Sequence, residues 1–403
     1  MTTGPTRDLI APLTGIRALA AFWVVLRHFR VELIEAFPAL HILAPLMNVG
    51  YLGVDLFFIL SGFILTYTHL DNLTDGYNWR KALGFLWLRI GRVWPLTVFV
   101  LLLFGLGFAA QILITGDEGF SKQIDVPRLI DHLLLIHAWY PHELDWNGLD
   151  WSVSAEWLAY LTFAVGVVVL GRFAAVASRR TLLIAIALLT LPMIIVGVSM
   201  QDDTILLFER ETYTVLGGIV PIRVLTEFWA GALLAVLLRQ RLREGRKISF
   251  PLPTITAASI VVILYVVAAF DPLRWTRRSQ LDARDPLPGV DLIAATETII
   301  VLPLFIVLIG ALAVSRRDPL TWLLSTGPLV LGGKVSFALY LTHPLVLGVS
   351  LALLRLTPHG PLHGVLALLG LAAAWVFAWV LWRYVEEPSR RLARRMLPPT
   401  LKP

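Results

Sequence analysis

Cysteine is absent from the 403 residues, which excludes a disulfide framework, a thiolate metal site and a cysteine nucleophile. Charge is scarce: 15% of residues are Asp, Glu, Lys or Arg against 57% hydrophobic ones, with a mean hydropathy of +0.75. That balance lies outside soluble composition, so two or three globular domains are not expected despite the length. Internal repeats and low-complexity tracts are missing, and no terminal run is long enough for a second folded domain. The chain also lacks the paired Gly/Pro-broken spans in matching halves that mark inverted-repeat transporters. Any catalysis has to rest on His, Asp, Glu, Ser or Lys. The net charge of +6 is spread over short basic clusters between apolar runs, a distribution that suits membrane topology and argues against nucleic acid as a partner.

What the chain does have is a succession of apolar stretches of roughly 20 residues, the length that crosses about 30 Å of hydrocarbon as a helix. They fall at 11–29, 50–69, 94–115, 152–170, 181–199, 216–238, 254–270, 292–314, 331–353 and 363–383. The first carries Arg17 and His28 and therefore reads as a retained span, not a cleavable signal. Segment 129–151 is amphipathic and reads as an interfacial or re-entrant piece. Basic residues recur in alternate connections: Arg80, Lys81, Arg89 and Arg92; Arg172, Arg179 and Arg180; Arg239, Arg241, Arg243, Arg246 and Lys247; Arg316, Arg317 and Lys334. With Arg390, Arg391, Arg394 and Arg395 in the tail, the positive-inside rule puts both termini in the cytoplasm. Connection 271–291 breaks the alternation, because Arg274, Arg277, Arg278 and Arg284 lie beside Asp271, Asp282, Asp285 and Asp291. It is expected to be a structured outer loop with internal ion pairs. The expected fold is all-α, a polytopic membrane bundle of about ten transmembrane helices, forming a single domain over 1–403 without an appended soluble domain.

Ionisable groups inside spans are costly, about 3 kcal/mol each on insertion scales, and so are candidate site residues. Arg17 and His28 share one helix and nearly one face, separated by roughly 16 Å along the axis. They can point into the bundle for chemistry, or Arg17 can snorkel to one interface while His28 sits at the other beside Arg27 and Arg30. Asp55 opens the second span and can orient a histidine or pair with an arginine. Ser61 and Gly62 permit close helix approach. Arg89 and Arg92, three residues apart before Pro95, share a face at the cytoplasmic edge. They suit phosphate oxygens, or serve as ordinary basic anchors.

The segment from His137 through Trp151, Ser152 and Ser154 to Glu156 and Trp157 is the most informative. An aromatic belt accounts for its rings, which would also suit a sugar face, but not for Glu156, one turn into the fourth span at a depth expected to match His28. Glu156 facing His28 would form a general acid/base unit for hydroxyl-to-ester chemistry. Ser336, Tyr340 and His343, at spacings of four and three, share a face. For His343 a structural role competes with a catalytic one.

These residues resemble the integral-membrane acyltransferases of the acyltransferase-3 type. The markers are Arg17 in Gly15–Ala20 together with His28, Gly53–Asp55 with Ser61–Phe63, Arg89 and Arg92 with Pro95, Trp151–Glu156, Ser336–Pro344, and Glu387–Pro388. They occur in the family's order over nearly the whole chain. The resemblance implies an O-acyltransferase in a bacterial inner or plasma membrane. Its donor would be cytoplasmic acyl-CoA, usually acetyl-CoA, with no permanently bound cofactor and no metal. Its acceptor would be a carbohydrate-type hydroxyl on a cell-surface polysaccharide, lipid-linked sugar or glycosylated metabolite. It further implies an essential role for His28 as base or transient acyl carrier, polarised by Glu156 or Asp55, and a role for Arg17, Arg89 and Arg92 near the CoA phosphates. Trp151, Ser152, Ser61, Tyr340 and His343 are the candidate acceptor-binding residues.

One position departs: relatives often carry a second Glu after Glu156, where this chain has Trp157. Some relatives append a soluble esterase-like domain that this chain lacks. It would then act alone or pass the acyl group to a separate extracytoplasmic partner. Competing functions are a transporter or lipid-linked sugar flippase, which leaves the Arg89/Arg92 pair unexplained, and a non-catalytic scaffold, which would tolerate loss of His28 and Glu156.

Overall fold

The computed structural model describes residues 5–73, 78–116, 124–140, 146–199, 215–245, 248–270, 276–278, 290–292, 300–315, 317–354, 356–357 and 361–401. A bilayer supplies no water to exposed backbone groups, so apolar stretches must satisfy their own hydrogen bonds as helices. The long helices are α1 (Pro5–Ala36), α3 (Gly53–Leu73), α4 (Trp79–Thr115), α6 (Trp151–Val176), α7 (Arg179–Ser199), α8 (Val215–Arg243), α9 (Leu252–Phe270), α12 (Gly327–Leu354) and α13 (Pro361–Leu381). Shorter ones are α2 (Ala44–Asn48), α5 (Val126–Leu134), α10 (Leu302–Val314), α11 (Pro319–Leu324) and α14 (Glu387–Met396). Among the described residues, 7 segments are long and apolar enough to cross a membrane: 38–71, 79–115, 151–176, 220–243, 252–270, 327–354 and 362–396. The fold is an all-α polytopic bundle, with one small exception. Strands β1 (Thr276–Arg278) and β2 (Val290–Leu292) pair antiparallel, with Arg277 opposite Asp291.

Three boundaries differ from those expected. Residues 38–52 fold as short helical turns, so the long α-helix of the second span starts at Gly53. The third was expected from residue 94, but α4 begins at Trp79, where the Asn78 side chain caps it by accepting from the Arg80 and Lys81 amides. Capping overrides hydropathy there, and Arg80 to Arg92 lie on a helix with Pro95 inside it. The eighth was expected from residue 292, yet Leu292 closes β2, and among the described residues the α-helix covers Leu302–Val314. Hydropathy does not separate an apolar strand end from a helix start. The ion pairs expected within 271–291 lie outside the described residues.

Helix α1 runs through the core. Leu13, Ala21, Val24, Val25 and Phe29 are buried along it, and α3, α12 and α13 pack around it. Two crossings depend on missing side chains. A Cβ at Gly333 of α12 would lie 1.8 Å from the Thr14 carbonyl oxygen, and one at Gly62 of α3 would lie 1.8 Å from that of Phe228 in α8. Such close backbone approach is how helices associate where lipid offers little hydrophobic drive. It sets α12 against α1 and α8 against α3, which positions the residues described next.

Candidate active site

The crossing of α1 and α12 at Thr14 and Gly333 continues in the same direction to His28 and His343. Their rings lie 5.0 Å apart, with His343 Nε2 3.3 Å from His28 Nδ1. Each Nδ1 also faces a carbonyl one turn back in its own helix: His28 faces Val24 at 2.9 Å and His343 faces Leu339 at 3.0 Å. A carbonyl can only accept, so these partners assign the proton of both rings to Nδ1. His343 Nε2 then offers its lone pair to the His28 Nδ1–H. His28 Nε2 is left unprotonated, the state a general base or nucleophile needs.

Toward the other end of α1, Arg17, Phe57, Ser152, Glu156, Ser336 and Tyr340 line a narrow cleft of about 40 Å³. The Arg17 guanidinium lies over the Phe57 ring, 5.2 Å from its centroid. Tyr340 joins the two regions: its ring is 6.2 Å from that of His343, and its hydroxyl donates to the Leu149 carbonyl at 2.8 Å. Ser336 and Tyr340 thus share the cleft, as their spacing predicts, while His343 turns to His28. Trp151 supports the cleft wall, its ring 6.3 Å from that of Phe58.

Among the described residues, Glu156 makes no contact with His28. Its carboxylate accepts from Ser61 Oγ at 3.1 Å and from the Tyr160 hydroxyl, and it lies within electrostatic reach of Arg17, Arg89 and Arg92. The depth expected from the sequence fails because the segment before α6 enters the bundle. Asn147 and Asp150 are already buried, and the Asn147 amide donates to the Leu341 carbonyl, near His343. Glu156, nine residues beyond Asn147, therefore belongs to the arginine end.

Asp55 does not contact His28 among the described residues either. Arg223 of α8 grips it with three hydrogen bonds, Nε to Oδ1 at 2.8 Å and Nη2 to Oδ1 and Oδ2 at 2.6 and 2.7 Å. Arg223 Nε also lies 3.4 Å from Glu227. Of the two partners the sequence left open for Asp55, the structure selects the arginine.

Arg17, Arg89 and Arg92 converge. The Arg89 guanidinium lies near the faces of Phe85 and Tyr160, 5.7 and 5.9 Å from their centroids, and its buried Nε has no hydrogen-bond partner. Glu386, on a π-helical turn over Trp382–Glu386, is buried within electrostatic reach of Arg92, Arg390 and Arg17. The neighbouring Glu387, singled out with Pro388, instead makes side-chain pairs with Arg390 and Arg391.

Sequence reasoning passed over four features. Arg223 and Glu227 are ionisable residues inside a span, i and i+4, and the cost rule applied to Arg17 would have found them. Tyr160 follows Glu156 by one turn and shares its face. Glu386 is indistinguishable from Glu387 without burial. Finally, His132, His137 and Asp150 are brought together beside the start of α6. Burial alone would raise the Asp150 carboxyl, but the adjacent His137 and His132 rings outweigh it and hold it well below the usual carboxylate range.

Residues 10–383 match the family described as an acyltransferase domain. The chain belongs to this acyltransferase family. The acyltransferase is 26% identical to Acyltransferase MdmB of Streptomyces mycarofaciens, over 99% of its own length and 96% of that protein. It is 30% identical to Protein 2 in the picA locus of Rhizobium radiobacter over 46% of its own length and 92% of that protein. No solved structure matches it significantly. The family match spans α1 through α13, so the histidine pair, the cleft and Arg17, Arg89 and Arg92 all fall within it.

Proposed function

We propose that the acyltransferase moves an acyl group, with acetyl as the first candidate, from acyl-CoA to a hydroxyl of a carbohydrate-type acceptor. The histidine pair is the observation that carries this function: the carbonyls at both Nδ1 atoms and the His343 ring leave the lone pair of His28 on Nε2, and Tyr340 links the pair to the cleft that Arg17 lines. Arg17, Arg89 and Arg92 supply forked donors for the CoA phosphates, and the unsatisfied Arg89 Nε supports a ligand there. The extended pantetheine arm would cover the roughly 16 Å between Arg17 and His28.

In the transfer step, His28 Nε2 takes the proton of the acceptor hydroxyl as its oxygen attacks the thioester carbonyl. The C–O bond forms, the C–S bond breaks, and the imidazolium returns the proton to the departing CoA thiolate. In the variant with an acyl-enzyme, Nε2 attacks the thioester carbonyl first, the N–C bond forming as the C–S bond breaks and CoA leaves as the thiolate. The acceptor oxygen then attacks that carbonyl, the N–C bond breaks, and the hydroxyl proton passes through the freed Nε2 to the thiolate. Ser152, Tyr340 and Trp151 would hold the acceptor, and the basic connections support a topology with the arginine end in the cytoplasm of a bacterial cell. The protein would complete the transfer alone or pass the acyl group to a separate extracytoplasmic partner.

The test is transfer from radiolabelled acetyl-CoA by purified protein in nanodiscs, comparing wild type with His28→Ala. Consumption of acetyl-CoA, or labelling of the protein, only when His28 is present supports the proposal. Equal activity in folded His28→Ala would overturn the role of His28, and a wild type that neither binds nor consumes any acyl-CoA would overturn the donor.

A further inference from the structure

We propose that His132, His137 and Asp150 bind one divalent transition-metal ion, of the zinc class, that clamps the segment before α6 to the start of that helix. The local chain is built for convergence. Asp125 caps α5, its side chain accepting from the Arg128 amide at 3.3 Å. At the other end of α5, Leu135 adopts φ +58°, the left-handed region that a leucine rarely takes. This turn reverses the chain directly after His132, so that His137 stacks on it with ring centroids 3.8 Å apart and planes 15° from parallel.

Both rings face one carboxylate. His132 Nδ1 lies 2.9 Å from Asp150 Oδ2, and His137 Nε2 lies 3.0 Å from Asp150 Oδ1. The three donors lie within 4.8 Å of one another, and the residues are only 2%, 1% and 1% exposed. Tetrahedral bonds of about 2.0–2.2 Å to a common ion would place adjacent donors about 3.4 Å apart, so the present hydrogen-bond separations would open by about half an ångström to seat it. Two imidazoles and one carboxylate form a known three-ligand zinc donor set, with a fourth position left for water.

A purely structural role for Asp150 is the simpler alternative, and its position tests it. Asp150 occupies the N-cap of α6, where a carboxylate ordinarily accepts from the first amides and contributes about 1 kcal/mol. Its side chain makes no such cap bond. The carboxylate is turned instead toward two imidazoles, presented through different ring nitrogens. A cation at their focus accounts for both choices.

The position gives the ion a consequence. Ser154 Oγ donates to the Leu135 carbonyl at 2.9 Å, and the Tyr340 hydroxyl donates to the Leu149 carbonyl. An ion at Asp150 would thus hold the layer that carries Ser152 and Tyr340 into the cleft, without touching the reacting atoms.

The test is independent of acyl donor and acceptor. Purified protein in nanodiscs is stripped with a chelator and titrated with Co²⁺. The expected result is visible d–d absorption that saturates near one ion per chain and is abolished by Zn²⁺, with Zn²⁺ raising Tm by several degrees through ligand linkage. His137→Gln, whose amide can still hydrogen-bond Asp150 but is a poor ligand, should lose the absorption and the Tm rise. A wild type that gives no absorption, or a folded His137→Gln that binds Co²⁺ equally well, would overturn the site and leave a hydrogen-bonded clasp. Should the variant fail to fold, the wild-type titration still decides.

Discussion

His343 Nε2 stands 3.3 Å from His28 Nδ1 across 315 residues of sequence, so an imidazole, not a carboxylate, is the side chain that orients His28. Replacing His28 with Ala should lower acyl transfer by about 10²–10⁴-fold, the usual worth of a general base. His343→Ala should lower kcat by roughly tenfold, with KM for acyl-CoA unchanged. His343→Gln, which can still accept from the His28 Nδ1–H, should recover most of that loss. If His343→Ala leaves both kcat and its pH profile untouched, the pair serves packing alone.

The buried Asp55 forms a two-pronged ion pair with the half-buried Arg223. Breaking such a pair from one side typically costs about 3–5 kcal/mol, because the remaining charge stays buried. Asp55→Ala should therefore lower thermal stability in detergent sharply, and Asp55→Ala with Arg223→Leu should regain much of it. Acyl transfer by that double variant then separates the two roles. Recovery of stability without activity would assign Asp55 a part in the chemistry, and recovery of both would make it a structural anchor.

The buried Glu386 lies within electrostatic reach of Arg17 and Arg92, which in turn neighbours Arg89. Substituting Arg89 or Arg92 with Ala should raise KM for acyl-CoA by about 10–100-fold, the loss of one or two charge-assisted hydrogen bonds, and should leave acceptor KM unchanged. Glu386→Gln removes a negative charge that competes with phosphate for the same guanidiniums, so donor KM should fall and its salt dependence steepen. An unchanged donor KM across all three variants would place the phosphates elsewhere.

Asp318 ties two helices together outside the spans. Its Oδ1 accepts from the Thr321 amide at 2.8 Å, capping α11, and its Oδ2 accepts from the Thr254 hydroxyl and amide at 2.8 and 3.1 Å. Burial alone would raise this carboxyl, but these hydrogen bonds outweigh it and the group sits below its ordinary value of 3.8. Its stabilisation is therefore complete above that value and is lost as the pH falls through the lower folded-state value. Asp318→Ala should cost about 1–2 kcal/mol near neutrality, read as a drop in Tm, and progressively less in strong acid.

The sequence by itself determined the class of fold, because lipid leaves a long apolar stretch little choice but to close its own hydrogen bonds as a helix. It also marked the chemistry-bearing positions one at a time, because an ion inside a span is too costly to be incidental. His28 and Arg17 were legible on that ground, Arg89 and Arg92 by their shared helical face, and the family pattern from the order of the blocks. Which groups meet was not. Pairings between helices depend on crossings set by Gly62 against Phe228 and Gly333 against Thr14, contacts more than 160 residues apart that no local periodicity encodes. Depth in the membrane was equally hidden for Glu156, since the residues before α6 are polar enough to read as a loop and yet are buried. Only the tertiary structure gave His28 to His343, Asp55 to Arg223 and Glu156 to the arginine end, because partner choice follows from how helices cross, whereas helix formation follows from composition.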